Sequence, residues 1–341
     1  MKRIYFDNAA TTPLNKGVLR AIRPFLTKEY GNPSSNHKEG REVRQAIEKA
    51  RLQVSKALNC KPQEIFFTSG ASESNSIIVH SSPFLITLKN NHDSLELGAN
   101  VVNDNEARVG WFGFSGVNSE TGINYMKVGK TASFDFQWVH ADLTQMIGKQ
   151  KVDLKNLYWI TSASFSGHKF GALKGVGVLF VREDKQKFVK PLIYGHQEQG
   201  LRGGTENVVG IVSLGEAIEI ATKNMVKNAK RVSKIEDFLK KRINGMGLLC
   251  RGENGILSIT FDNVFASTIM HFLDMRGVAV SVGSACNSDL EKPSNALMQS
   301  GYTEDEALRT IRVSIGAQNT LREARKFCKI LQEIVDKFDY L

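Results

Sequence analysis

Lys169 is the residue whose type and setting first indicate chemistry. It follows a histidine in the small, polar turn at residues 164–170, and glycines at 175 and 177 then lead into a short apolar run. A lysine amine that is partly desolvated beside other positive charge can form a Schiff base with a carbonyl compound. Because a lysine in a surface loop is the ordinary interpretation, other segments of the chain must decide between the two.

A second segment has the composition of a phosphate-binding turn. Residues 64–68 predict a strand, and residues 69–72, Ser-Gly-Ala-Ser, lead from it into a predicted helix. The glycine permits close backbone approach, and the free N–H groups at the start of the helix can bind an anion. Serine and threonine also cap many helices, so this turn alone does not establish a phosphate site.

Asp142 completes a set of three groups. It follows the apolar run 138–141, so we expect it at the carboxyl end of a strand, where open α/β sheets bind ligands. An acid in this place can pair with a ring nitrogen and keep it protonated, although a helix cap is the alternative interpretation. Together with Lys169 and the phosphate turn, it meets the requirements of pyridoxal 5'-phosphate, a cofactor that acts as an electron sink.

Alternating strands and helices must position these groups. Strands are predicted at 64–68, 256–261 and 278–282, and helices at 15–28, 38–58, 206–243, 265–276 and 320–339; between them, apolar stretches at 84–88, 109–114 and 138–141 alternate with polar segments. This alternation predicts a mostly parallel sheet covered by helices. Because 341 residues exceed one small core, we expect a large domain at 13–230 and a small domain formed by 1–12 and 231–341.

The composition restricts the class of protein. The net charge is +10, and part of the basic excess lies in the predicted helix at 223–242. This helix could bind RNA or an acidic partner, but a solvated amphipathic helix is favoured because no RNA-binding motif accompanies it. The four cysteines form no Cys-x-x-Cys pair, which argues against a disulfide framework and a zinc site. No apolar run reaches the ~18–20 residues of a membrane span, so we expect a cytoplasmic protein without membrane or direct nucleic-acid binding.

A series of short motifs follows along nearly the whole chain. They lie at residues 7–13, 31–35, 68–75, 118–122, 142–145, 166–169, 202–205, 283–286 and 311–314. In their order they resemble the motifs of the cysteine desulfurases of the class V aminotransferase family. The resemblance implies the α/β fold of fold type I pyridoxal-phosphate transferases, with a mostly parallel seven-stranded sheet, helices on both faces and a smaller α+β domain.

The resemblance assigns roles around the cofactor. Lys169 would hold pyridoxal phosphate as a Schiff base and then move the proton at the substrate Cα. Asp142 would pair with the ring nitrogen, Gln145 would bond the ring hydroxyl, and the imidazole of His92 would stack on the ring. The implied phosphate contacts are Ala71, Ser72, Ser166 and His168, with Thr205 from the neighbouring subunit of a homodimer.

The resemblance also implies L-cysteine as the substrate and L-alanine as a product. Arg312 would bind the substrate carboxylate in a bidentate fork, assisted by Asn32. Cys286 lies in a small, polar stretch that favours an exposed loop, from which its thiolate would take the sulfur as a persulfide. The other three cysteines, Cys60, Cys250 and Cys328, are expected to be buried and inert.

Three features depart from the family pattern. The segment 75–118 is shorter than usual, and Ser119 replaces an asparagine that contacts the cofactor ring, although a serine can still donate and accept a hydrogen bond. The chain also lacks much of the extension after Arg312 by which longer members contact scaffold proteins. The expected sulfur acceptor is therefore either an iron–sulfur scaffold or a tRNA-thiolating enzyme.

Other functions remain open in the same fold and outside it. A selenocysteine lyase or another class V aminotransferase would use the same cofactor, and the motif around Cys286 favours a desulfurase over them. The shortened segment would also suit a catalytically weak, sulfur-trafficking paralogue. Retention of Lys169, Asp142 and Arg312 argues against that alternative.

Overall fold

The computed structural model describes residues 3–88, 90–97, 110–133, 136–283 and 292–338. The chain divides into two compact units. The large unit consists of residues 13–117 and 125–225, and the small unit consists of residues 1–12, 118–124 and 226–341. Residues 118–124 thus belong to the small unit although large-unit segments flank them in the chain.

A central sheet forms the core of the large unit. After the short β1 (Ile4–Tyr5) of the small unit, its strands are β2 (Ile65–Thr68), β3 (Leu85–Thr87), β4 (Trp111–Ser115), β5 (Trp138–Asp142), β6 (Ser162–Ser166) and β7 (Gly177–Val181). Across the sheet the order is β2-β7-β6-β5-β4-β3; β3 to β6 are parallel neighbours, and β7 is antiparallel to both of its neighbours. The sheet is mostly parallel, as expected, but the described residues contribute six strands rather than the predicted seven.

The strand register brings three chain segments to one edge of this sheet. Gly177, which begins β7, is the Cα partner of both Thr68 at the end of β2 and Ser166 at the end of β6. Asp142 ends β5 and pairs with Ser164 of β6. The turn after β2, the turn after β6 and Asp142 therefore share the carboxyl edge, where open α/β sheets bind ligands.

Helices follow the strands of the large unit. They are α1 (Lys16–Ile22), α2 (Lys38–Leu58), α3 (Ala71–Ser81), α4 (Asp93–Glu96), α5 (Met126–Ala132) and the long α6 (Val208–Asn244), whose residues from 226 onward belong to the small unit. The prediction for α2 is confirmed, since Val43, Ile47 and Val54 lie buried at helical spacing. The helix predicted at 15–28 is instead α1 followed by a 3-10 turn, because Pro24 lacks the N–H that would continue an α-helix.

The small unit is an α+β structure with its own core. Its further elements are β8 (Leu249–Glu253), β9 (Ile256–Thr260), α7 (Ala266–Met275), β10 (Val278–Ala279), β11 (Ser281–Val282), α8 (Asn295–Gln299), α9 (Glu304–Leu308), β12 (Thr310–Ser314) and α10 (Leu321–Phe338). The antiparallel sheet has the order β11-β12-β9-β8, while β1 pairs with β10 in parallel. Phe6 and Phe327 are fully buried in this core and meet edge to face, with ring centroids 5.5 Å apart.

Within the described ranges, no helix combines the length and the apolar character needed to cross a bilayer. The same part of the chain contains no group of three or more histidine, cysteine, aspartate or glutamate side chains placed to hold a metal ion.

Candidate active site

The turn after β2 packs against the end of β6. The backbone N–H of Ala71, the first residue of α3, donates to Ser166 Oγ at 2.8 Å. The N–H groups in the first turn of a helix have no intrahelical acceptor, so they can bind an anion. Gly177 permits the close approach, because a Cβ there would lie 2.5 Å from the Cα of Gly70. The structure therefore brings together Ser166 and the helix start that carries Ala71 and Ser72.

Lys169 lies in the turn that follows β6. It ends the 3-10 turn Gly167–Lys169, and the N–H of Gly167 donates to the carbonyl of Val176 at 3.0 Å. This bond closes the loop that carries Lys169 back onto the start of β7. Gly175 has a φ of 77°, a left-handed value that favours glycine. The Lys169 side chain is half-buried, which provides the partial desolvation that favours an amine nucleophile.

His168 adds a neutral donor next to this lysine. Burial and, to a smaller extent, the positive charges of Lys169 and Lys174 together lower the pKa of His168 to about 4. The imidazole is therefore uncharged at neutral pH. One of its ring nitrogens still carries a hydrogen, so it can donate to a phosphate oxygen without adding a charge.

Both carboxylate oxygens of Asp142 accept hydrogen bonds from the protein. The N–H of Thr144 donates to Oδ1 at 2.9 Å, and the side-chain amide of Asn75 donates to Oδ2 at 3.0 Å. Asp142 is only 5% exposed at the end of β5. The carboxylate is thus held in one orientation at the ligand-binding edge of the sheet.

Asn75 and His140 are functional candidates that the sequence reasoning missed. The amide Oδ1 of Asn75 lies 2.9 Å from His140 Nε2 and accepts from Ser164 Oγ at 2.5 Å. Asn75 and His140 are fully buried. One signal was present, because His140 lies two residues before Asp142 and alternate residues of a strand share a face. Asn75, in contrast, comes from α3, and no pattern in the sequence links it to that strand.

His92 lies at the start of α4 and caps it. Its Nδ1 accepts from the N–H of Ser94 at 3.2 Å and lies 2.8 Å from Ser94 Oγ, while the side chain is exposed. Ser94 Oγ in turn accepts from the amide of Asn75 at 2.8 Å. Asn75 therefore connects His92 to Asp142 through hydrogen bonds. Stacking of His92 on a cofactor ring stays a prediction.

Gln145 lies in the turn after β5, three residues beyond Asp142. Its side chain is buried, and Oε1 accepts from Lys149 Nζ at 2.7 Å. The side-chain amide group also has two N–H donors. The position after the strand end suits the predicted contact with a cofactor hydroxyl, which stays a prediction.

Thr205 and Asn32 are exposed in the large unit. Thr205 follows a loop that is closed where the N–H of Gly203 donates to the carbonyl of Ile193 at 2.8 Å. Asn32 Oδ1 accepts from the N–H of Ser34 at 2.9 Å and so stabilises its own turn. The exposure of Thr205 leaves its hydroxyl accessible, as a contact with a neighbouring subunit requires.

Arg312 lies in the middle of β12 in the small unit and is buried. Its Nη2 pairs with Asp7 Oδ1 at 2.9 Å, and its Nη1 donates to the backbone carbonyl of Ser119 at 3.1 Å. Its Nε is buried and makes no hydrogen bond with any described residue. A planar guanidinium with an unused N–H can bind a carboxylate by donating hydrogen bonds to it, which is the role predicted for Arg312. The predicted contact of Ser119 with a cofactor ring stays a prediction.

The described cysteines are poor nucleophiles. Burial raises the pKa of the Cys60 and Cys250 thiols to about 12 and that of Cys328 to about 11. These thiols are therefore protonated at neutral pH, and the thiolate is the reactive form. Cys60 is half-buried rather than fully buried. Cys286, the predicted nucleophile, lies outside the described residues.

Comparison with known proteins places this arrangement in a family. The model of the family described as aminotransferase class-V matches residues 4–95 and 106–327. A cysteine desulfurase IscS of Dictyoglomus turgidum is 34% identical over 380 aligned positions, which cover 99% of this chain and 96% of that protein. Because the alignment is longer than the 341 residues of this chain, it contains gaps in this chain, and the family match is interrupted within the segment 75–118.

Two solved structures are similar over most of the chain. A NifS-like protein superposes with a TM-score of 0.87 and 30% identity, covering 98% of this chain and 99% of that protein. The structure of SspA in complex with cysteine gives a TM-score of 0.76 and 29% identity, covering 92% of this chain and 99% of that protein. The similarity extends over both units of the chain.

Proposed function

Because the chain belongs to the aminotransferase class-V family, we propose that it is a pyridoxal-phosphate-dependent cysteine desulfurase. It converts L-cysteine into L-alanine and keeps the sulfur as a persulfide on Cys286. The observation that carries this proposal is the similarity of 34% identity over 99% of the chain to a protein named cysteine desulfurase. The solved relative that holds cysteine supports cysteine as the substrate.

The donors and acceptors of the large unit fit pyridoxal phosphate. The helix start at Ala71 and Ser72, Ser166 Oγ and the neutral His168 suit the phosphate. Asp142 suits the ring nitrogen, because N–H donors already orient both of its oxygens. When bound, this cofactor supplies an electron sink for the electron pair released at the substrate Cα.

Lys169 is the proposed covalent attachment residue and acid–base group. Its half-buried amine, at the end of the turn after β6, holds the cofactor and then moves the proton at the substrate Cα. Because His168 next to it is neutral, this histidine adds no positive charge beside the amine.

Further residues complete the proposed cofactor site. Gln145 bonds the ring hydroxyl, and His92 covers a face of the ring. The hydroxyl of Ser119 is the proposed group for a further ring contact. Thr205 reaches the phosphate of the other subunit in a homodimer, which agrees with its exposure.

Arg312 is the proposed group for the substrate carboxylate. Its buried Nε–H has no partner among the described residues, so a ligand carboxylate would satisfy it. The guanidinium offers a planar fork that matches two carboxylate oxygens. The proposed role of Asn32 is to assist in binding this carboxylate, and its Oδ1 stabilises the local turn.

Cys286 is the proposed sulfur acceptor within the chain. Its thiolate forms a bond with the sulfur of the substrate, and the bond between that sulfur and Cβ breaks. The electron pair of the broken bond stays on the carbon fragment, which takes up a proton and leaves as L-alanine. The persulfide then passes to a further protein, for which we propose an iron–sulfur scaffold or a tRNA-thiolating enzyme.

Mass spectrometry of the protein after reaction with cysteine tests this proposal. The protein loaded with pyridoxal phosphate should release alanine and carry one additional sulfur on Cys286. Cys286→Ser should bind the cofactor but form no persulfide, whereas the matched variant Cys60→Ser should behave as wild type because its thiol is protonated. Alanine formation without sulfur on Cys286 would refute the assigned nucleophile.

A second measurement tests the lysine and the reaction class. Lys169→Ala should lose the absorbance of the covalently bound cofactor while its circular dichroism stays that of the folded protein. A wild-type protein that takes up no pyridoxal phosphate would contradict the proposed function. Turnover of selenocysteine with none of cysteine would instead indicate a selenocysteine lyase.

A further inference from the structure

A line of buried hydrogen bonds runs beneath Asp142 in the large unit. Trp138, His140 and Asp142 are alternate residues of β5 and so lie on one face of the sheet. On the neighbouring β6, Ser162 is the Cα partner of His140. Ser162 Oγ lies 2.7 Å from Trp138 Nε1 and 2.8 Å from His140 Nδ1. The line continues from His140 Nε2 through Asn75 to the carboxylate of Asp142.

Two groups that can act in only one way set the direction of these bonds. The carboxylate of Asp142 can only accept, so Asn75 turns Nδ2 towards it and Oδ1 towards His140, and neutral His140 carries its hydrogen on Nε2 and donates to Asn75 Oδ1. His140 Nδ1 is then an acceptor for the hydrogen of Ser162 Oγ, which itself accepts from the indole N–H of Trp138. Burial keeps His140 neutral, because it lowers the pKa of this imidazole to about 4.

The orientation of the Asn75 amide follows from its neighbours. Its Oδ1 accepts from His140 and from Ser164 Oγ, which leaves Nδ2 facing Asp142 Oδ2 and Ser94 Oγ. Rotation of the amide by half a turn would place Oδ1 against the carboxylate, two acceptors without a hydrogen between them. It would also place the amide N–H of Asn75 against the Nε2–H of His140, two donors without an acceptor between them. Only one orientation therefore satisfies the buried groups.

We infer that Asn75 is a positioning residue, which holds the Asp142 carboxylate as an oriented acceptor for the ring nitrogen of pyridoxal phosphate. Trp138 and His140 fix the amide that does this. The inference rests on the proposed function for its ligand, whereas its geometry rests on buried contacts of the large unit alone. A carboxylate that is oriented before the ligand arrives needs no rearrangement when the ring nitrogen binds.

The same amide also reaches the candidate ring-stacking residue. Its second hydrogen bonds Ser94 Oγ, and that hydroxyl lies within hydrogen-bond distance, 2.8 Å, of His92 Nδ1. This branch differs from the first, because His92 is exposed and Ser94 is only half-buried. Loss of the Ser94 hydroxyl should therefore affect His92 and leave the bond between Asn75 and Asp142 in place.

A pair of cofactor probes separates positioning of Asp142 from general support of the fold. The first probe is pyridoxal phosphate, and the second is its 1-deaza analogue, in which a C–H group replaces the ring nitrogen. Wild type should bind the first more tightly, because only the first gives Asp142 a hydrogen bond. Asn75→Leu should reduce this preference by about tenfold, the value of one hydrogen bond to a charged group. Loss of packing alone would weaken both probes equally and leave their ratio unchanged.

Ser94→Ala is the matched control, since it removes the partner of the other hydrogen of the same amide. It should leave the ratio of the two dissociation constants at the wild-type value. If Asn75→Leu does not fold, Asn75→Ser serves in its place, because serine cannot reach both Asp142 and His140. An unchanged ratio in a folded Asn75 variant would overturn the inference.

Two further outcomes keep the inference distinct from the proposed function. A wild type that binds both probes equally would overturn the pairing of Asp142 with the ring nitrogen, and with it the inference. A wild type that prefers pyridoxal phosphate, loses this preference in Asn75→Leu, yet forms no persulfide would refute the desulfurase alone. The dissociation constants are measured by fluorescence titration without cysteine, so they do not depend on turnover.

Discussion

Asp142 of the large unit and Arg312 of the small unit are both buried charged side chains, but they differ in how far the protein satisfies them. Each oxygen of Asp142 accepts an N–H, one from Thr144 in the turn after β5 and one from Asn75 in α3. Arg312 pairs with Asp7 and with a backbone carbonyl, yet its buried Nε–H has no partner in the described part of the chain. The protein thus supplies a hydrogen-bond donor to each oxygen of Asp142 but leaves the Nε–H of Arg312 to be bonded by a ligand.

This difference indicates a different task for each group. A buried N–H without a partner costs about 1–3 kcal/mol, which a bound carboxylate at Arg312 would recover. Asp142 carries no such cost, so its contribution to binding comes from its fixed orientation. The fixed orientation of Asp142 suits a cofactor that stays bound through many turnovers. The unpaired N–H of Arg312 suits a substrate that enters and leaves.

Removal of the charge of Asp142 should have the largest effect. Asp142→Asn keeps the shape of the side chain but replaces one acceptor with an N–H group that cannot pair with a protonated ring nitrogen. We expect the rate of alanine formation to fall about 10²–10³-fold, as for removal of one preorganised electrostatic group. Asp153→Asn is the control, because Asp153 is a half-buried residue whose carboxylate bonds Asn59 and Asn156 and no residue of the site. Equal rates in the two variants would contradict the comparison.

A change of geometry at Arg312 should have a smaller effect, in a different kinetic constant. Arg312→Lys keeps the positive charge but loses the planar fork and the Nε–H. We expect the KM for cysteine to rise roughly 10–100-fold, the value of one to two charge-assisted hydrogen bonds, with a smaller change in kcat. Arg231→Lys, which alters an exposed arginine bonded to the carbonyl of Ala317, should leave KM unchanged. A variant of Arg312 with normal KM would exclude it as the carboxylate site.

The helices and strands that local sequence determines could be predicted, and the residues at which they end follow from local chemistry. The apolar spacing of α2 predicted a helix at 38–58, and Pro24 explains why α1 ends early. The strand predicted at 278–282 is two short strands, since β10 pairs with β1 and β11 pairs with β12. A single apolar run does not show that its two halves join different sheets.

The candidate site was predictable where a strand ends and not where distant elements meet. Asp142 follows an apolar run, and that position alone predicted its place at the sheet edge, whereas Lys169 was singled out by its polar turn and the glycines after it. Asn75 bonds to His140 and Ser164, which follow it by 65 and 89 positions in the chain. Only the packed structure brings these residues together. Gly122 shows the same limit, because a Cβ there would lie 1.9 Å from the carbonyl oxygen of Glu253, a neighbour supplied by the small-unit fold.

Acid should weaken the large unit through the neutral histidine beneath Asp142. Because burial lowers the pKa of His140 to about 4, the unfolded chain binds more protons than the folded one between pH 6.5 and 4. Stability therefore falls as the pH drops through this window, by about 2 kcal/mol at pH 5 for a histidine shifted this far. Urea unfolding at pH 7 and pH 5 measures the difference.

Two variants measure the part of this pH dependence that comes from His140, since His168 also has a lowered pKa. His140→Gln should reduce the difference in unfolding free energy between pH 7 and pH 5, because its side chain does not titrate. His80→Gln should retain the full difference, since His80 is exposed at the end of α3. A pH dependence that survives His140→Gln unchanged would contradict the role of the buried neutral imidazole.

The smallest expected effect on stability is that of a substitution at Thr144, whose backbone N–H donates to Asp142. Thr144 Oγ1 is buried and makes no hydrogen bond with a described residue, although the N–H of Thr144 bonds Asp142. Thr144→Val should leave the unfolding free energy of the cofactor-free protein unchanged or raise it by up to ~1 kcal/mol, because no hydrogen bond is lost. Thr260→Val should instead destabilise by about 1 kcal/mol, since Thr260 shares a buried bond of 2.8 Å with Thr310. If both variants lost the same stability, Thr144 Oγ1 would be satisfied by solvent and would not be an open group like Arg312 Nε.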